Sequence, residues 1–181
     1  KMVDDISPKK VWDLGANTGI FSRVCSEKGI DTVAFDIDPA AVEKNYLRVY
    51  EKKEKHLFPL LLDLTNPSSR IGWANKERRS FEDRGPVDLI LALALIHHLS
   101  ISNNVPLQKL AEFFKNNCKA LIIEFIPKSD SQVRKLLSTR EDIFNEYSKE
   151  EFELCFQKYF LIKKSLNILG SERTLYHMEI K

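Results

Sequence analysis

Val11-Trp12-Asp13-Leu14-Gly15-Ala16-Asn17-Thr18-Gly19-Ile20-Phe21 carries the strongest local pattern in the chain. Val11, Trp12 and Leu14 form a short apolar run of the kind a buried strand carries. Gly15 and Gly19 bracket a turn in which the backbone can take positive φ or approach a ligand closely, and Asn17 tolerates left-handed backbone better than most residues. Ile20, Phe21, Val24 and Cys25 then recur at helical spacing, so the stretch predicts strand, tight turn and helix. That arrangement puts free backbone N–H groups at the mouth of a sheet, which suits a nucleotide-like ligand; the plain alternative is a βα turn that binds nothing.

Downstream the pattern repeats. Residues 1–9 read as a polar lead-in, strand 1 as about 10–14 and helix 1 as about 19–28. Thr32–Phe35 is a second strand ending at Asp36-Ile37-Asp38-Pro39, and Pro39 opens a helix whose inner face reads as Val42, Tyr46, Val49 and Tyr50. Leu57–Leu62 is a third strand, closed by Asp63. Residues 64–86 carry no period, and connections of that length are often functional. Val87–Ile96 is long enough for a buried central strand plus a turn, with His97-His98 at its end. Asn103-Asn104 offer caps for a helix with an inner face of Leu107, Leu110, Ala111 and Phe114. Ala120–Ile126 is a fifth strand, a short helix lies around Val133, and Ser148-Lys149-Glu150-Glu151 is a capping box. Phe160–Leu169 and Arg173–Ile180 flank Gly170-Ser171-Glu172 as a hairpin. Alternating strands and helices predict an α/β fold with a parallel sheet and helices on both faces, and the hairpin makes the last strand antiparallel.

Composition narrows the class. A chain of 181 residues with 43% hydrophobic content reads as one domain with a proper core. A net charge of +2 is too balanced to argue for nucleic acid, though it does not exclude it. Cys25, Cys118 and Cys155 are few, scattered and odd in number, which fits buried thiols in a reducing compartment better than a disulfide framework or a zinc site. No apolar run reaches the ~18 residues of a membrane span, and no signal peptide opens the chain, so the expectation is cytoplasmic.

Ligands of open parallel sheets sit beyond the carboxyl ends of the strands. The dinucleotide fingerprint needs glycine at 15, 17 and 20, and Asn17 and Ile20 break it; no Lys-Ser/Thr pair follows the turn, so a P-loop fails too. Asp36, one βα unit on, can accept two hydrogen bonds from a ribose diol, with Ile37 covering an adenine face. A turn-forming Asp is the plainer reading, and Asp38, directly before Pro39, fits it better. Asp63 can accept from an adenine amino group while the Leu64 N–H donates to the ring, or it can simply end its strand in an Asx-turn.

The acidic-x-Gly-x-x-x-Gly pattern of Asp13, Gly15 and Gly19 resembles motif I of the class I S-adenosylmethionine-dependent methyltransferases, with Asn17 where many members carry a middle glycine. Asp36 about twenty residues on and Asp63 about twenty-seven further have the order and spacing of that family's cofactor site. The resemblance covers residues from about 10 to 181. It implies a Rossmann-like, seven-stranded, mostly parallel sheet with an antiparallel terminal strand. It also implies S-adenosylmethionine as cofactor, with contacts from Asp13, Gly15, Ala16, Asn17, Gly19, Asp36, Ile37, Asp63, Leu64 and Ala92.

In the resembled family the end of strand 4 lies beside the reactive methyl group. Methyl transfer from a sulfonium needs positioning, desolvation and a proton acceptor, and an imidazole is a suitable base. His97 and His98 are the candidate catalytic residues; structural or cofactor-side roles are the alternative. Ala92-Leu93-Ala94-Leu95 stands where the family's amino methyltransferases carry Asn/Asp-Pro-Pro-aromatic, which argues against adenine or glutamine N-methylation. A small-molecule or saccharide oxygen or nitrogen is the expected acceptor, with no metal. Trp73, Arg78 and Arg79 are read either as a wall and anion grip next to the site or as a solvated helix with Trp73 packed inward. Together with LALALIHHLSISNNVPL, that connection resembles a bacterial methyltransferase subfamily that includes nodulation-associated proteins. The rival readings are a nicotinamide oxidoreductase, disfavoured by the broken fingerprint and the hairpin, and a cofactor-binding or interaction module without activity. Members of the resembled fold commonly place substrate-covering helices before strand 1. Residues 1–181 therefore read as one domain cut from a longer protein.

Overall fold

The computed structural model describes residues 1–181. In order they form α1 (Met2–Ile6), β1 (Lys10–Leu14), α2 (Ile20–Ser26), β2 (Asp31–Asp36), α3 (Pro39–Lys52), β3 (Leu57–Leu61), β4 (Val87–Ala92), α4 (Leu107–Asn117), β5 (Cys118–Phe125), α5 (Ser131–Leu137), α6 (Lys149–Gln157), β6 (Phe160–Asn167) and β7 (Thr174–Ile180). The seven strands make one sheet in the order β3-β2-β1-β4-β5-β7-β6. β1 pairs in parallel with β2 and β4, β2 with β3, and β4 with β5; β7 runs antiparallel between β5 and β6. This is the predicted class. The winding reverses between β1 and β4, which opens a crevice at the turn after β1.

The period of two along the strands divides the core. Trp12, Leu14, Ile90, Ala92, Leu121 and Ile123 join a cluster of 28 buried residues with α4, α5 and α6 on one face. Val11, Leu89, Leu91, Ala120 and Ile122 face the other way, in a cluster of only 8 with Met2, Val3 and Cys25. The second face is therefore thinly covered. No helix is long and apolar enough to cross a membrane, and all three cysteines are free and buried.

Several local expectations are corrected. Residues 2–6 are a helix rather than a lead-in, because Met2 and Val3 pack on the smaller cluster. The inner face of α3 carries buried Ala41 and Asn45, while Tyr46 and Tyr50 are exposed and stack on each other with ring centroids 6.4 Å apart. In α2 the polarity is inverted: Ser22, Arg23, Cys25 and Ser26 are buried, whereas Ile20, Phe21 and Val24 are exposed. Arg23 is accommodated by a bidentate pair with Glu54 and by the Thr18 and Gly19 carbonyls. Asn103 and Asn104 do not cap α4, which begins after Pro106 without a side-chain cap; the Asn103 N–H instead closes a single π-turn over His98–Ser102. Ser148 caps α6 by accepting from the Glu151 N–H, but the Glu151 carboxylate accepts from the Cys155 thiol instead of completing the box.

Candidate active site

The turn after β1 is held by its own amides. Gly15 and Ala16 N–H both donate to the Phe35 carbonyl at 2.9 Å, and Gly19 N–H donates to the Ala16 carbonyl at 2.8 Å. Asn17 N–H donates to Asp36 Oδ2 at 2.7 Å and Thr18 N–H to Asn17 Oδ1 at 2.8 Å. The expectation of free donors at this turn is thus corrected: every amide from 15 to 19 has a partner. The turn instead offers shape. Gly15 (φ +76°) approaches the loop after β4 so closely that a Cβ would lie 3.1 Å from Leu95 Cδ1. Gly19 (φ +74°) sits under Asn45, where a Cβ would lie 2.5 Å from Nδ2. Gly19→Ala is expected to cost about 1–2 kcal/mol through left-handed strain and displacement of Asn45, read by urea unfolding.

A cavity of about 540 Å³ opens beyond the ends of β1, β2, β3 and β4, lined by Gly15, Asn17, Asp36, Ile37, Asp63 and Leu64 with His97 and His98 across from them. Asp36 already accepts one N–H on each oxygen, from Asn17 at 2.7 Å and Asp38 at 2.9 Å. Each oxygen keeps a second lone pair. Ile37 is 64% exposed, an apolar plate with nothing against it. Asp63 makes the Asx-turn, with Oδ1 accepting from the Thr65 N–H and hydroxyl, which holds its pKa down; Oδ2 is left over. Both readings of Asp63 are therefore compatible in one residue.

A larger cavity, about 760 Å³, adjoins the first and shares Gly15, Asn17, Ala94 and Arg173 with it. Asp13 and Ala16 line this second space. Asp13 is 2% exposed and accepts from Ser22 Oγ at 2.6 Å; burial raises its pKa to about 6. Two of the expected contact residues lie off both cavity walls. Gly19 is buried under Asn45 and lines neither cavity. Ala92 is fully buried because its position on β4 faces the larger core; Ala94, two residues on and at φ 49°, is the residue that reaches both spaces.

His97 is 1% exposed, its Nδ1 has no partner, and burial lowers its pKa to about 4. His98 is exposed, its ring 4.1 Å from that of His97, and its pKa is lowered by partial burial against the opposing pull of Asp36. The sequence reading missed an ionic network at the junction of the two cavities. Glu124, at the end of β5, accepts the Ala94 N–H on Oε2 at 2.8 Å, and Arg173 Nη1 lies 3.4 Å from its Oε1. Arg173 also grips Asp130 through Nε at 2.8 Å and Nη2 at 3.1 Å, and Asp130 caps α5. One acid inside the apolar run Ala120–Ile126 was the signal for Glu124; only tertiary pairing reveals Arg173.

The 64–86 connection is anchored by Phe81, buried among Trp12, Phe35 and Phe113. Trp73 is 86% exposed rather than packed inward. Arg78 and Arg79 line a separate surface hollow with Arg70 and Lys76 that shares no residue with the two cavities. Only the start of the connection, Leu64 and Thr65, touches the cleft.

Residues 2–159 match the family described as "Methyltransferase domain". Nodulation protein NoeA of Rhizobium meliloti (strain 1021) is 43% identical over 174 residues, which is 95% of this chain and 36% of that protein. The chain thus spans about a third of that relative. Among solved structures, the PH0226 protein of Pyrococcus horikoshii OT3 superposes with a TM-score of 0.68 at 19% identity, covering 99% of this chain and 86% of that one. A SAM-dependent methyltransferase from Aquifex aeolicus gives a TM-score of 0.64 at 17% identity, covering 99% and 87%. These two likenesses are of fold, whereas the family match spans most of the sequence, β1 to α6 included: the chain belongs to the methyltransferase-domain family.

Proposed function

We propose that this chain binds S-adenosylmethionine in the Asp36–Asp63 cleft and transfers its methyl group to an oxygen or nitrogen of a small molecule or saccharide. The observation that carries the reading is convergence. Gly15, Asn17, Asp36, Ile37, Asp63 and Leu64 come from three successive strand ends and line one cavity. The donor set suits the ligand. Asp36 has lone pairs for a ribose diol, Ile37 lies open for an adenine face, and Asp63 Oδ2 is free for an amino group. Bound there, S-adenosylmethionine supplies a sulfonium-activated methyl group. The protein's share is to orient the acceptor, exclude water and accept a proton. The broken glycine fingerprint speaks against a nicotinamide ligand. Calorimetric titration with S-adenosylhomocysteine and with NAD tests this. Binding of the first alone is expected; binding of NAD alone, or of neither, overturns it.

The histidines take different parts. A ring held near pKa 4 is neutral at physiological pH and a weak proton acceptor, and His97 is almost wholly buried. Its role is to support the loop after β4. His97→Gln is expected to lower turnover less than about tenfold, where loss of a general base costs ~10²–10⁴. His98 stands on the Asp36 side, at the cofactor.

A further inference from the structure

The parallel ladder between β4 and β5 stops at the pair Ala92–Ile123. Two residues past it Ala94 takes φ 49°, in the left-handed region that a residue with a Cβ enters only at a steric cost. Such a conformation persists where its surroundings over-determine it. Here a side chain takes over from the ladder. Glu124, near the end of β5 and 6% exposed, accepts the Ala94 N–H on Oε2 at 2.8 Å, and no main-chain acceptor shares that N–H. Arg173 Nη1 lies 3.4 Å from the other oxygen, Oε1, and Asp130 fixes the guanidinium through Nε at 2.8 Å and Nη2 at 3.1 Å. The turn at Ala94 sends Leu95 onto the glycine turn, with its Cδ1 3.1 Å from where a Cβ on Gly15 would stand. Gly15, Asn17, Ala94 and Leu95 then line the same cleft as Asp36 and Asp63. The Glu124 bond is made inside the fold, between a main-chain N–H and a buried carboxylate, so it is independent of whatever lies over either cavity.

We propose that Glu124 is a positioning residue for the cofactor cleft: its hydrogen bond to the Ala94 N–H holds the loop after β4 in the left-handed turn that seats Leu95 against Gly15. Glu124 acts through Ala94 and not by contact with the ligand. What counts is the reach of its acceptor oxygen. Its charge is secondary, because Arg173 stays paired with Asp130 when the charge on Glu124 is removed. The role belongs to the cofactor cleft and so rests on the reading above.

The test pairs two substitutions that break this bond in different ways. Glu124→Asp keeps the charge and withdraws the oxygen by one methylene. Glu124→Leu removes charge and acceptor together and leaves an apolar side chain of similar size, a replacement that buried charges often tolerate. Two quantities are read: hydrogen exchange at the Ala94 amide by NMR without ligand, and S-adenosylhomocysteine affinity by calorimetry. Both variants are expected to exchange about tenfold faster at Ala94 and to bind about tenfold more weakly, the effect of losing one hydrogen bond to a charged group. Ala94→Gly should bind within about threefold of the parent. Added to either variant, it should restore affinity to within about threefold of the parent while exchange stays fast, because glycine takes the left-handed turn without help. A loss through general destabilisation would not be recovered in that way. Parent-like affinity in Glu124→Asp with loss only in Glu124→Leu overturns the proposal, since charge is then what matters. So does unchanged exchange at Ala94, parent-like affinity in both variants, or a loss that Ala94→Gly fails to recover. A parent that binds no S-adenosylhomocysteine defeats the cofactor reading instead, and the hold of Glu124 on Ala94 then stands or falls by the exchange rates.

Discussion

Asp36→Ala is expected to weaken S-adenosylhomocysteine binding by about 3 kcal/mol, roughly 150-fold. The effect is large because the carboxylate does two things. It tethers the glycine turn through the Asn17 N–H at 2.7 Å, and it supplies the lone pairs on which the ribose hydroxyls would dock. Charge-assisted hydrogen bonds of this kind are worth about 1.5–3 kcal/mol each. Asp36→Asn keeps an acceptor for Asn17 and loses the charge, so it should cost about half as much. Calorimetry on both variants separates the two contributions. An affinity unchanged in Asp36→Ala would remove this residue from the site.

The second large effect is a pair of opposed pH dependences. Burial raises the Asp13 pKa to about 6, so between roughly pH 4 and 6 the folded chain holds a proton that the unfolded chain releases. Asp13 therefore stabilises the fold on acidification, and that contribution is lost as pH rises through 6. Burial lowers the His97 pKa to about 4, so between roughly pH 6.5 and 4 the unfolded chain holds the extra proton. His97 therefore destabilises the fold on acidification. Each displacement corresponds to about 3 kcal/mol across its window, and the two nearly cancel in the parent. Single variants should uncover them. Asp13→Asn should lose stability from pH 6.5 to 4.5 more steeply than the parent, and His97→Gln should gain relative to it. Urea midpoints at pH 6.5, 5.5 and 4.5 decide; three parallel profiles would contradict the assignment.

The strand ends were legible because each is a local event. Asp36 and Asp63 close their strands within a few residues of Pro39 and Asn66, and spacing alone put them near one edge of the sheet. Helix faces were less legible. The periods at Ile20–Phe21–Val24 and Val42–Tyr46–Val49–Tyr50 are helical, yet the apolar side of the first points outward and both tyrosines of the second are exposed. Period gives the helix; which side is covered depends on what lies opposite, and the outward face of α2 lines the larger cavity. Residues 2–6 are illegible for the converse reason: five residues carry no period, but Met2 and Val3 find a partner surface. Glu124 and Arg173 are 49 residues apart and meet only because β7 inserts beside β5. The same insertion builds the junction of the two cavities. Ala92 and Ala94 show how fine the limit is: two residues at the end of one strand separate a buried core position from one that lines both cavities.

A crystal structure of the chain with S-adenosylhomocysteine decides whether the Asp36–Asp63 cleft holds the cofactor. The expected complex has ribose hydroxyls within hydrogen-bond reach of Asp36, the adenine against Ile37 with its amino group at Asp63 Oδ2, and the sulfur at the junction of Gly15, Asn17, Ala94 and Arg173. An adenosine bound elsewhere, or one bound in this cleft with the sulfur pointing away from the Glu124–Arg173 end, would contradict it.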